Sequence, residues 1–97
     1  MLLGIGPGAA ALQKPATHTV TIDGTSYQPQ SLTVNVGDEV VWVNKDPFPH
    51  TVTSKSGGFD SHEIEPDKSW KYTAAKKGDF DYICTLHRTM KGTLVVK

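Results

Sequence analysis

Residues 78–96 have the sequence GDFDYICTLHRTMKGTLVV, and this stretch decides the fold. Phe80 and Tyr82 alternate with Asp79 and Asp81 before Cys84, and Thr, Leu and Val follow Gly92, so both stretches are predicted to be β-strands. The first predicted strand ends at Cys84 and the second begins at Gly92, so the segment from Cys84 to Met90 is predicted to be a loop. This loop would carry Cys84, His87 and Met90 at one end of a β-structure.

The chain before this stretch repeats the same pattern. Short alternating or apolar runs end at Gly- and Asp-containing turns, and they cover residues 18–22, 31–36, 40–43, 50–54 and 69–73. No part of the chain shows a convincing helical period. The sequence therefore predicts an all-β fold, a Greek-key antiparallel β-sandwich of about seven to eight strands. Residues 40–43 are apolar throughout, which predicts a central strand covered on both faces.

Composition limits what the protein can do. The chain has 97 residues, and its 10 Lys and Arg balance its 10 Asp and Glu, which argues against a nucleic-acid-binding surface. No apolar run reaches the ~20 residues of a membrane-spanning helix. Cys84 is the only cysteine, so the chain forms no internal disulfide. A small carrier or binding module fits these limits better than an enzyme, and we expect it to act as a monomer.

The two ends of the chain differ in character. Residues 1–14 begin with MLLGIGPGAAAL, which is predicted to be the remnant of a secretory signal peptide or a disordered N-terminus. Residues 15–97 are predicted to form a single domain.

The donor atoms on the predicted loop point to a metal. Cys84, His87 and Met90, together with His50 on a separate predicted strand, offer a thiolate, two imidazoles and a thioether. A Cys and two His with a weak axial Met form the donor set of electron-transfer copper sites. A structural zinc site competes, although Met is not among the usual zinc ligands. A hydrolytic enzyme using Cys84 would need oxyanion donors and a substrate pocket, and neither can be located in so small a sandwich.

Several motifs resemble the blue copper proteins, or cupredoxins, of the plastocyanin, pseudoazurin and amicyanin branch. They lie at residues 36–44 (VGDEVVWVN), 49–52 (PHTV), 58–61 (GFDS), 78–84 (GDFDYIC) and 90–96 (MKGTLVV). The short interval between His87 and Met90 is most similar to that of amicyanins. The resemblance implies one type 1 copper per chain, held by His50, Cys84, His87 and Met90. It also implies a periplasmic or secreted carrier of single electrons; a copper-binding module for delivery, storage or sensing is the alternative.

Two residues depart from the family pattern. Thr51 stands where the family has Asn or Ser, and its hydroxyl is expected to hydrogen-bond across to Thr85, while its N–H is expected to reach the Cys84 thiolate. Leu86 stands where the family has Pro, which restores a backbone N–H that is also expected to reach the thiolate.

The residues around the predicted loop suggest how electrons leave. Phe48, Leu86 and His87 are expected to form an apolar patch that docks redox partners of the cytochrome or dehydrogenase type. His18 and His62 have no assigned role, and for His62 an exposed position is expected.

Overall fold

Two β-sheets pack face to face in the structure, a computed structural model that describes residues 14–97. The nine strands are β1 (Thr17–Asp23), β2 (Ser26–Gln28), β3 (Ser31–Val34), β4 (Glu39–Asn44), β5 (Thr53–Ser54), β6 (Phe59–Asp60), β7 (Ser69–Thr73), β8 (Gly78–Cys84) and β9 (His87–Val96). The leader predicted for residues 1–14 lies almost wholly outside the described residues. Within residues 14–97 no helix is long and apolar enough to cross a bilayer.

The strand order confirms an all-β sandwich and corrects its pairing. One sheet has the order β2-β1-β4-β7 and the other β3-β9-β8-β5-β6. Most strand pairs are antiparallel, as predicted, but β1 pairs with β4 and β3 pairs with β9 in parallel. The chain leaves the first sheet after β2, adds β3 to the second sheet and returns, so β4 runs beside β1 in the same direction.

The core lies between the inner faces of the two sheets. On β4 the buried residues alternate with half-buried ones, so Val40, Trp42 and Asn44 point inward while Val41 and Val43 lie on the partly covered outer face. The predicted covering of both faces of this central strand is therefore wrong. The inner face of β8 supplies Phe80, Tyr82 and Cys84, and that of β9 supplies Met90, Leu94 and Val96. Cys84 and Met90 thus belong to the core cluster.

Candidate metal centre

The structure brings three of the four predicted ligands together at one end of the sandwich. His50, Cys84 and His87 each offer one donor atom, and these atoms all lie within 4.8 Å of one another. His50 is fully buried and pairs with Ile64 in an isolated β-bridge ahead of β5, so it does not open a longer strand as predicted. Cys84 is buried at the end of β8, and His87 is exposed at the start of β9.

The segment that carries Cys84 and His87 is a tight β-hairpin. The predicted loop from Cys84 to Met90 is wrong: Thr85 and Leu86 form a turn, and β9 already begins at His87. Cys84 pairs with His87 across this turn, and a register shift between Ile83 and Cys84 accompanies it. Such irregularities bend a strand and re-aim its side chains. The hairpin itself therefore holds Cys84 and His87 on the same side of the site.

Met90 lies three residues further along β9. Its side chain is buried and packs in the hydrophobic core. Because β9 continues through this position, Met90 is fixed by the strand and not by a mobile loop.

Thr51 makes the hydrogen bonds expected of it. Its N–H donates to Cys84 Sγ at 3.3 Å, and the N–H of Thr85 donates to Thr51 Oγ1 at 2.9 Å. The two hydroxyls of Thr51 and Thr85 are also 3.3 Å apart. The expectation for Leu86 is not met, because within residues 14–97 the backbone donor to Cys84 Sγ is Thr51 and not Leu86.

The His50 ring is held by a buried carboxylate that the sequence analysis missed. His50 Nε2 lies 2.8 Å from Oδ2 of Asp46, and His50 Nδ1 lies 3.6 Å from Cys84 Sγ. An ionised carboxylate only accepts hydrogen bonds, so Nε2 carries the ring proton and Nδ1 keeps its lone pair facing the thiol. Asp46 thus selects the tautomer in which His50 can bind a metal beside Cys84.

Asp46 is itself held from the opposite side. It accepts hydrogen bonds from the N–H groups of Gly24 at 2.7 Å and Thr25 at 2.9 Å, in the turn between β1 and β2. Both turn residues have positive φ, 60° and 54°, the backbone of a tight hairpin turn. Burial raises the pKa of the Asp46 carboxyl, but the N–H groups of Thr25 and Gly24 and the His50 ring lower it more. The pKa of Asp46 therefore lies below its usual range, and the group is ionised at neutral pH.

Asn44 fixes the segment that leads into His50. Its amide nitrogen donates to the carbonyls of Phe48 at 2.7 Å and Ile64 at 2.9 Å, and its amide oxygen accepts from the N–H of Asp46 at 2.9 Å. The side chain is fully buried. One asparagine thus shapes the turn that carries Asp46 and the bridge that carries His50.

Two large apolar side chains that lie close to His50 and His87 in the sequence are exposed. Phe48 is 56% exposed and Leu86 46% exposed. The other two histidines lie elsewhere: His18 bonds Asp38 at 2.9 Å, and His62, 86% exposed, lies 3.8 Å from Asp60. The exposed position expected for His62 is confirmed.

A β-sandwich with a thiol and two imidazoles converging at one end defines a class of small metal-binding proteins. Thiolate and imidazole donors suit copper and zinc. Residues 1–96 match the family model of the cupredoxin-like domain, and the chain belongs to this family.

Two curated relatives and one solved structure show which members of this family the chain is similar to. The chain is 32% identical to an amicyanin of Paracoccus versutus over 94 residues, covering 91% of this chain and 71% of the relative. It is 34% identical to a plastocyanin of Synechococcus over 85 residues, covering 72% and 62%. Among solved structures, the Cu(I) form of an amicyanin mutant superimposes with a TM-score of 0.78 at 30% identity, covering 91% of this chain and 89% of that one.

Proposed function

We propose that this protein is a type 1 copper protein that shuttles single electrons between redox partners in the periplasm or another extracytoplasmic space. His50, Cys84 and His87 would bind one copper ion through two imidazoles and a thiolate, and Met90 would be the weak fourth ligand. The observation that carries the proposal is the convergence of the first three donor atoms within 4.8 Å at the end of a hydrogen-bonded sandwich. Copper bound there supplies a one-electron change of oxidation state.

The residues of the chain keep the site still during that change. His50 is fixed by its bridge to Ile64 and by Asp46, and Cys84 is fixed by its pairing within the β8–β9 hairpin. The N–H of Thr51 places a positive dipole 3.3 Å from the sulfur. Hydrogen bonds of this kind tune the potential of a metal–thiolate site. A site whose donors are held by backbone pairing needs little rearrangement to take up or release an electron.

The exposed apolar end gives the electron a way out. His87 is the exposed ligand, and Phe48 and Leu86, which lie near His50 and His87 in the sequence, are exposed as well. Redox partners form small and transient interfaces, for which a patch of this kind is suited. Exposed Arg88 and Lys91 on β9 add positive charge beside it. Partners of the cytochrome or dehydrogenase type would dock on this patch, with the carrier acting as a monomer.

Copper titration of the apoprotein tests the proposal. One equivalent of copper(II) should produce the intense thiolate-to-copper absorption that makes such proteins blue, and voltammetry should be reversible. Cys84→Ser removes the sulfur and should remain colourless. Thr89→Ser is the matched control, because Thr89 is exposed between two proposed ligands and offers none of the donor atoms.

Three outcomes would contradict it. A Cys84→Ser variant that still turns blue, or a wild-type protein that binds copper without colour, overturns the ligand assignment. A blue protein that gives up its copper on reduction and shows no reversible voltammogram would favour copper delivery or storage over electron transfer.

A further inference from the structure

The tyrosines and tryptophans of this chain form one connected series. The sequence contains three Tyr and two Trp, and all five belong to it. Successive ring centroids are 4.6 Å apart for Tyr27–Tyr82, 5.5 Å for Tyr82–Trp42, 5.7 Å for Trp42–Trp70 and 5.9 Å for Trp70–Tyr72. These five residues are called the aromatic chain below. Because Tyr and Trp are the aromatic side chains that lose an electron most readily, their connection is a chemical as well as a packing feature.

One end of the aromatic chain meets the metal centre. The phenol of Tyr27 donates a hydrogen bond to the carbonyl oxygen of Thr51, and the N–H of Thr51 donates to Cys84 Sγ at 3.3 Å. Tyr82 lies two residues before Cys84 on β8, with its side chain on the same inner face. A single intervening residue therefore connects the Cys84 thiolate to Tyr27, and a single intervening residue connects it to Tyr82.

The other end reaches the edge of the sandwich. Tyr27, Tyr82 and Trp42 are buried, whereas Trp70 and Tyr72 on β7 are half-buried. Strand β7 is the edge of its sheet, so these two rings lie where a small oxidant in solution can approach. The aromatic chain thus crosses the core from the metal centre to solvent on another side of the molecule.

The rings are also coupled by hydrogen bonds. Trp42 Nε1–H donates to the Tyr82 hydroxyl at 3.2 Å. Burial raises the pKa of Tyr82 to about 12 and raises that of Tyr27 further, so both phenols are protonated at neutral pH. When Tyr27 loses an electron, its proton can shift along the hydrogen bond to the Thr51 carbonyl and return when the electron is replaced.

We propose that the aromatic chain is a repair path, through which the reduced copper centre refills an electron that a strong one-electron oxidant removes from Trp70 or Tyr72. The proposal rests on the function proposed above. Copper(I) loses one electron and becomes copper(II), the oxidant gains one electron, and each ring on the way loses and regains one. No proton is gained or lost overall.

Energetics make this path directional. Tyr and Trp radicals are far stronger oxidants than a copper(II) thiolate centre, so an electron moves downhill from copper(I) to an oxidised ring. The reverse transfer, from an intact ring to copper(II), is uphill. The aromatic chain therefore stays idle while the protein exchanges electrons at its His87 end and acts only under oxidative attack.

The test compares copper(I) with zinc(II) in the same protein. Zinc binds Cys and His donors but has no redox chemistry, so it is a matched metal control. Both forms are exposed to a photogenerated ruthenium(III) polypyridyl complex. Peptide mass spectrometry then measures oxidation at Trp70 and Tyr72, and transient absorption follows the radicals and the blue copper(II) band. The copper(I) form should show several-fold less oxidation of both residues, and the blue band should rise as the radicals decay.

Variants of the aromatic chain separate this path from direct attack on copper. Tyr82→Phe keeps the ring but removes the readily oxidised phenol, and it should return Trp70 oxidation in the copper(I) protein to the zinc level. Trp42→Phe, which interrupts the next position, should do the same. Phe59→Leu is the control: Phe59 packs on Trp42, Trp70 and Tyr72 but is itself hard to oxidise, so protection should persist.

The outcomes distinguish this proposal from the one it rests on. If the protein takes up no copper, both the proposed function and the repair path are wrong. If the protein is blue and its voltammetry is reversible, but Trp70 is oxidised equally in the copper(I) and zinc(II) forms, only the repair path is wrong. Full protection in both Tyr82→Phe and Trp42→Phe would also overturn it, because copper would then be reacting directly with the oxidant.

Discussion

Removing the charge of Asp46 should make the copper centre easier to reduce. The substitution Asp46→Asn keeps the shape of the side chain but replaces a carboxylate, whose Oδ2 lies 2.8 Å from His50 Nε2, with a neutral amide. A buried negative charge next to a metal ligand favours the more positive oxidation state of the metal. Without it, the balance between the two states should shift toward copper(I), and the reduction potential should rise.

The structure sets the size of the shift. The 2.8 Å hydrogen bond from Asp46, followed by the imidazole ring of His50 and one metal–nitrogen bond of about 2 Å, would place the charge roughly 7 Å from a metal held by His50. At an effective dielectric constant of about 20, two unit charges at that distance interact by about 2 kcal/mol. For a one-electron couple this corresponds to on the order of 100 mV. The folded apoprotein should also lose about 2 kcal/mol, because Asp46 accepts three hydrogen bonds in the folded state.

Voltammetry of the copper forms at one pH measures the effect. Asp60→Asn is the control, since Asp60 is 45% exposed on β6 and its loss changes the net charge equally without touching His50. The control should move the potential by much less, because exposed charges are screened by water and salt. An unchanged or lowered potential in Asp46→Asn, or an equal shift in Asp60→Asn, would refute the reasoning.

Three further outcomes are expected. Removing copper should lower the melting temperature, because a ligand that binds only the folded state stabilises it by about 4 kcal/mol at a thousandfold excess over Kd; equal melting of both forms would contradict this. The hydrogen bond from His18, with the N–H groups of Asn35 and Ala16, lowers the pKa of Asp38 from 3.8 to about 2. Asp38 therefore stabilises the fold above pH 3.8, so Asp38→Asn should be less stable in urea unfolding at neutral pH, and the gap should close as the pH falls to about 2. Gly92→Ala should cost about 1–3 kcal/mol, measured in the same way, because its Cβ would collide with the Tyr82 ring.

The strands were predictable because their information is local. The sequence itself shows alternation along residues 18–22, 69–73 and 80–84, and the structure has strands at all three. Pairing direction is not local: nothing in β1 or β4 encodes that they run parallel, since this depends on the crossing to the second sheet through β3. The early start of β9 at His87 was not predicted, because residues 87–89 are polar and show no alternation of apolar and polar side chains. Pairing across the turn nevertheless makes them part of a strand.

The candidate site likewise has parts that local sequence spacing predicts and a part that only the folded structure reveals. The spacing of Cys84, His87 and Met90 is local and predicted them as donors, and the grouping of His50 with Cys84 and His87 agrees with that prediction. Asp46 was missed because a single acid four residues before a His carries no periodic signal. Its role arises only when the turn at Gly24 and Thr25 meets it in space.

Thr51 shows most clearly why such sites exceed what a sequence pattern can express. Its N–H donates to Cys84 Sγ across 33 positions, its Oγ1 accepts from Thr85 across 34, and its carbonyl accepts from Tyr27 across 24. A Thr side chain is stiff about χ1, so the hydroxyl that meets Thr85 is held in one direction. The single residue therefore joins the thiolate, the ligand turn and the first ring of the aromatic chain. An Asn or Ser at this position would keep both backbone bonds, because they belong to the main chain, and would change only the side-chain bonds to Thr85 and Thr53. The threonine at this position thus adjusts the ligand turn and leaves both the sulfur's hydrogen bond and the link to the aromatic chain in place.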